Sequence, residues 1–116
     1  MARKHKEALI IYGSLAPGEK NHFVMQDIPG EWLNATIHAC IEDNGWSTRT
    51  GYPRFIPESD NTKDHRVMIF VSDQLYRFWD RIDEFEGTED YHRILWEYIS
   101  VDGESKNGFI YARKYD

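Results

Sequence analysis

The sequence carries one cysteine, Cys40, and so can form no intramolecular disulfide. A lone thiol fits a reducing compartment, because stapled secreted domains use cysteines in pairs. Long hydrophobic runs are missing as well. Nothing approaches the roughly 18 apolar residues of a membrane-spanning helix, and in MARKHKEALIIYG the apolar stretch behind the charges is too short for the core of a secretory signal. A cytoplasmic protein with no membrane partner is expected. Positive charge is in deficit, with 14 Lys and Arg against 20 Asp and Glu, a net charge of −6. A nucleic-acid backbone is repelled by such a surface, and Arg3, Lys4 and Lys6 read as a solvated tail. Repeats and low-complexity linkers are absent, so residues 1–116 read as a single domain.

What is present is rich in rings. Apolar residues make up 41% and aromatics 15% of the 116 residues, enough for a packed core without staples. Ala8 to Tyr12 is a continuous apolar run that stops at Gly13, the pattern of a strand buried on both faces. His22 to Ile28 reads as a short helix closed by Pro29 and Gly30. From Glu31 to Ile41 apolar and polar residues alternate, with Ala35, Ile37, Ala39 and Ile41 on one face of a strand. Asn44 to Arg54 reads as a loop, Phe55 and Ile56 as a brief pairing, Glu58 to Arg66 as a polar connection, and Val67 to Val71 as the next strand. A helix follows from an N-cap at Ser72 to Glu86, ended by Gly87. Arg93 to Val101 and Phe109 to Tyr115 form an antiparallel pair across a turn at Asp102 and Gly103. Mostly β with one clear helix implies an α+β fold, a curved or closed mixed sheet with helices outside.

The helix holds the most informative residue. At about 100° per residue, Leu75, Phe78, Trp79 and Ile82 form one apolar stripe, with Asp80, Arg81 and Glu84 on the opposite half. Glu86 breaks the rule, because four residues after Ile82 it returns to within about 20° of the stripe. A carboxylate aimed at a core is costly while charged, so its pKa should rise. That is what acid/base work at neutral pH requires. An ion pair with Arg93, or a terminal turn swinging Glu86 outward, would equally account for it.

The first strand empties into GSLAPGEKNH, a loop shaped for close backbone approach to a ligand, whose successive N–H groups can hold an oxyanion. Gly13 and Gly18 have the spacing of a phosphate-binding loop, but Glu19 stands where that pattern needs Lys. The histidines (His5, His22, His38, His65, His92) have no zinc-ligand spacing, so no metal is expected. His38 and Cys40 read as strand packing, Ser14 is not in a nucleophile elbow, and the four tryptophans read as core and loop anchors.

Two segments together resemble a known family. Tyr12-Gly13-Ser14-Leu15 looks like the YGSL signature of gamma-glutamylcyclotransferase-like proteins, the BtrG and YtfP relatives. Asp83-Glu84-Phe85-Glu86-Gly87, with Tyr91 and Arg93 following, resembles their D-x-x-E-G…Y-x-R segment. Asn21 and His22, Pro29 and Gly30, Trp46, and Gly51, Tyr52 and Pro53 also read as in bacterial members. Val67 stands where the family often has a glycine, with Met68 next. The resemblance implies a small mixed β-barrel flanked by helices, with Glu86 as general acid/base. Tyr12, Gly13, Ser14 and Leu15 would bind substrate, and Tyr91 and Arg93 would line or brace the pocket. The implied reaction is attack by the α-amine of a γ-glutamyl group on its own γ-carbonyl, forming 5-oxoproline and releasing an amine without a cofactor. The implied partner is a small γ-glutamyl compound. The oligomeric state stays open, with a monomer favoured. A non-catalytic module that binds a small carboxylated metabolite on the same fold is the alternative.

Overall fold

A strand that is apolar at every position needs cover on both faces, and Ala8 to Ile11 receives it. The computed structural model describes residues 6–13, 15–42, 54–87 and 91–113, without the side chains of Glu42, Arg54 and Arg113. Its elements are β1 (Glu7–Ile11), β2 (Glu31–Ala39), β3 (Ile41–Glu42), β4 (Arg54–Phe55), β5 (Lys63–Ser72), α1 (Trp79–Glu86), β6 (Tyr91–Ser100) and β7 (Ser105–Arg113). Ala8 and Ile10 of β1 point into a barrel and pack with Ala35, Ile37, Val67, Ile69 and Ile110. Leu9 and Ile11 point outward and pack under a helical layer with Leu15, Met25, Leu75 and Ile82. Each fully buried aliphatic side chain contributes about 1.5–3 kcal/mol relative to exposure. The apolar run therefore joins two cores.

The barrel closes in the order β1, β5, β2, β6, β7, and β3 pairs with β4 in a separate two-stranded sheet. Most seams are antiparallel, but β1 and β7 run parallel and are registered at Leu9 and Phe109. The expected mixed barrel with helical cover is thus the observed fold. Val67, at the position where a glycine is common in the family, lies buried in the barrel core. Gly30 has no room for a side chain, because a Cβ there would sit 2.5 Å from Phe70 Cζ and 2.7 Å from the Val71 carbonyl oxygen.

Several boundaries differ from the sequence reading. The polar residues Lys63 to Arg66 extend β5 rather than forming a connection, and pair with Thr36 to Ala39. At this end the outer face meets solvent, so polar side chains serve as well as apolar ones. Ser72 does not cap α1. It ends β5, and its hydroxyl donates to the Pro29 carbonyl while accepting the Gln74 N–H. A 3-10 turn at Leu75–Arg77 follows, and α1 begins only at Trp79. The three-residue spacing keeps Leu75 and Phe78 on one edge, where both reach the core. His22 to Ile28 forms a 3-10 turn at His22–Val24 and further turns, since so short a segment before Pro29 cannot sustain a helix. Strand β2 stops at Ala39 and passes Ile41 to β3, while β7 starts as early as Ser105. Residues 43–53, which contain most of the expected loop with Trp46, Gly51, Tyr52 and Pro53, lie outside the described residues.

Candidate active site

Helix α1 lays Ile82 fully into the outer core, flanked by half-buried Phe78 and Trp79. Its opposite side is exposed at Asp80, Arg81 and Glu84. Arg81 reaches across that side to Asp27 at 2.6 Å and to the Val24 carbonyl at 3.3 Å, tying the helix to the turns below it. The helix ends at Gly87, whose φ of 94° is open to glycine and strained for other residues. Gly87 donates its N–H to the Asp83 carbonyl and accepts that of Tyr91, both at 2.9 Å. Helix end and β6 are therefore joined through one residue, and Glu86 is held just before the junction.

Tyr12, immediately after β1, has a fixed hydroxyl. It donates to the Tyr111 carbonyl at 2.8 Å and accepts the Phe55 N–H at 3.2 Å. Burial raises its pKa first, the negative charge of Glu86 next, and Tyr91 adds to the shift against the opposing Phe55 N–H. Tyr111, on β7, donates its hydroxyl to the Asp83 carboxylate. Burial likewise raises its pKa, with the hydrogen bond and charge of Asp83 adding to the effect; Glu86 contributes in the same sense, and Arg93 opposes it. Tyr12 and Tyr111 thus lie within electrostatic reach of Glu86, and Tyr91 within reach of Tyr12.

The arginine nearby is already engaged. Arg93 lies 3.6 Å from Asp83 and stacks on Trp79 at 4.0 Å and on Phe109 at 5.4 Å, with Nη1 buried and lacking a hydrogen-bond partner among the described residues. No donor or cation among the described residues pairs with the Glu86 carboxylate. Burial alone pushes its pKa from 4.5 to about 7. Such a group is part carboxylate and part acid at neutral pH, so it can accept a proton in one step and return it in the next.

The other expected site residues divide. Tyr91 lies within electrostatic reach of Tyr12, and Arg93 is held by Asp83, one helical turn before Glu86. Gly13 is half-buried, and its carbonyl accepts the Ala16 N–H at 3.4 Å. Leu15 buries its side chain in the outer core, and its carbonyl contacts His22 Nδ1 at 3.0 Å. Ser14 lies outside the described residues. Sequence reasoning passed over Asp83 and Tyr111. Their signals were present, since Asp83 precedes Glu86 by three residues on the helix and Tyr111 shares a strand face with Phe109. Among the described residues, no group of three or more His, Cys, Asp or Glu could hold a metal ion, and no helix is long and apolar enough to cross a membrane.

The family model described as gamma-glutamyl cyclotransferase, AIG2-like, matches residues 9–115, a span that holds both Tyr12 and Glu86. The chain belongs to this family. Its fold is shared with solved structures of low sequence identity. YkqA from Bacillus subtilis matches with a TM-score of 0.70 at 20% identity, over 96% of this chain and 37% of that one. The chain thus spans little more than a third of YkqA. An AIG2-like protein from Mus musculus matches with a TM-score of 0.67 at 22% identity, over 93% and 77% of the two chains. An uncharacterised protein from Pyrococcus horikoshii matches with a TM-score of 0.62 at 16% identity, over 95% and 80%. No curated protein sequence is significantly similar to the chain.

Proposed function

We propose that this chain is a cyclotransferase that releases 5-oxoproline from a γ-glutamyl amine or peptide, with Glu86 as its acid/base. The observation that carries the reading is a half-buried carboxylate, unpaired among the described residues, whose pKa burial raises to about 7. Family membership supplies the reaction class. In the proposed cycle the Glu86 carboxylate removes a proton from the neutral α-amine of the substrate as its nitrogen attacks the γ-carbonyl carbon. The tetrahedral intermediate then collapses, breaking the bond to the leaving nitrogen. The protonated Glu86 returns its proton to that nitrogen, giving 5-oxoproline and a free amine. Because nucleophile and electrophile share one molecule, a site that holds the γ-glutamyl group folded supplies much of the rate.

The backbone of Tyr12 to Leu15 would bind the substrate's carboxylate or carbonyl oxygens, and Tyr91 would line the same space. Arg93 would brace the site through Asp83. The test is a panel of γ-glutamyl amines and dipeptides with mass detection of 5-oxoproline. Product from one or more, lost in Glu86→Gln with the fold intact, supports the reading. Stoichiometric binding with no product across the panel would favour a binding module on the same fold.

A further inference from the structure

The barrel is zipped unevenly. Strand β2 is registered with β5 at nine positions, and β6 with β7 at nine, but β2 and β6 meet only at Ala35–Ser100 and Thr36–Ile99. Beyond Thr36 the two strands flank an open groove of about 600 Å³, lined from β2 by Ile37 and His38 and from β6 by Leu95, Trp96 and Glu97. Trp96 bridges it. Its indole N–H donates to the His38 carbonyl at 3.2 Å, and its ring packs edge-on against fully buried Phe55 at 4.7 Å. A side chain thus bonds across a seam that elsewhere is closed by backbone.

The chemistry of the walls is one-sided. Leu95 is 60% and Ile99 38% exposed, so β6 offers apolar surface beside Trp96. His38 is fixed, with Nδ1 3.0 Å from Asp64 and Nε2 2.7 Å from the Thr62 hydroxyl, so it contributes a ring edge rather than a free donor. Among the described residues, the charged lining groups are the carboxylates Asp64 and Glu97, and no Lys or Arg lines the groove. Arg66, opposite Thr36 in register, is not part of the lining. Indole and aliphatic surface beside carboxylates recognises an organic cation with an apolar body.

From this arrangement we infer that the split seam between β2 and β6 is a second ligand site, separate from Glu86, which takes a primary amine carried on a flat or branched apolar group. The carboxylates are exposed, so binding is weak, with a dissociation constant on the order of 1 mM.

The test is an NMR titration of the full chain, following amide and indole N–H signals. Phenethylamine is compared with 3-phenylpropionate, which has a similar body and the opposite charge. Phenethylamine should shift the Trp96 indole signal and the Leu95 to Ile99 amides saturably, with 3-phenylpropionate roughly tenfold weaker. Glu97→Lys, at an exposed position, should reverse that order. Three results would each overturn the inference: equal shifts from both probes, no saturable shift at Trp96, or amine shifts confined to the Tyr12, Glu86 and Tyr91 signals. An unchanged preference in Glu97→Lys would overturn it too.

Discussion

The carboxylates at the end of α1 and those along the split seam place one functional group in two different environments. Glu86 is half-buried within electrostatic reach of Tyr12 and Tyr111, has no charged partner among the described residues, and burial raises its pKa to about 7. Glu97 on β6 is exposed and accepts the Ser105 hydroxyl. Asp64 on β5 is 77% exposed and meets His38 across the strands. Both therefore stand in solvent with a polar partner, unlike Glu86. Asp83, three residues before Glu86, stands between the cases. Its side chain is 27% exposed, and Arg93 and Tyr111 share its charge. Burial without a partner is what separates an acid/base from an ion pair.

Breaking that distinction at Glu86 should have the largest effect. Glu86→Gln keeps the shape and removes the proton carrier, so turnover should fall by about 10²–10⁴-fold. Glu97→Gln should leave 5-oxoproline release within about twofold, by the same mass assay, as expected for a surface substitution. Equal losses in both would erase the contrast.

Stability against pH sharpens it further. Folded Glu86 keeps its proton to about pH 7, while the unfolded chain releases it near 4.5. Between those values the folded state holds more protons, so the stabilisation is complete below pH 4.5 and is lost as pH rises through 7. Relative to wild type, Glu86→Gln should therefore gain up to about 2–3 kcal/mol between pH 5 and pH 8. Urea unfolding of both proteins at the two pH values measures this. A flat difference between them would contradict the burial of Glu86.

Tyr111→Phe removes the hydroxyl that Asp83 accepts and should cost about 1–3 kcal/mol in the same unfolding experiment. If Asp83 only braces the helix end, kcat should fall while KM changes little. Gly87→Ala is the smallest of the changes, at about 1 kcal/mol, because alanine must take a φ of 94° at the helix end. Its thermal midpoint should drop without altering the preference of the seam for amines.

Much of this was legible in the sequence, for reasons that can be named. The apolar run Ala8 to Ile11 foretold a strand covered on both sides, because every residue in it had to find apolar cover. Helical periodicity put Glu86 back over Ile82, and α1 holds that phase although it starts at Trp79 rather than directly after Ser72, as the capping signal suggested. Local signals misplaced the start because a tertiary bond to Pro29 engages the Ser72 hydroxyl. The tyrosines around Glu86 were harder to foresee. Tyr12 and Tyr111 are 99 residues apart and meet only when β1 and β7 close the barrel in parallel. The split seam had no signature at all, since Trp96 and His38 read as ordinary strand residues until the register of β2 with β6 ends at Thr36.

The central claim is that burial alone makes Glu86 an acid/base at neutral pH. Carbon-detected NMR of its side-chain carboxyl across a pH titration tests this most directly, with Glu86→Gln identifying the signal. A midpoint near 7 is the predicted result. A midpoint near the ordinary 4.5 would contradict it, whatever products the protein is found to release.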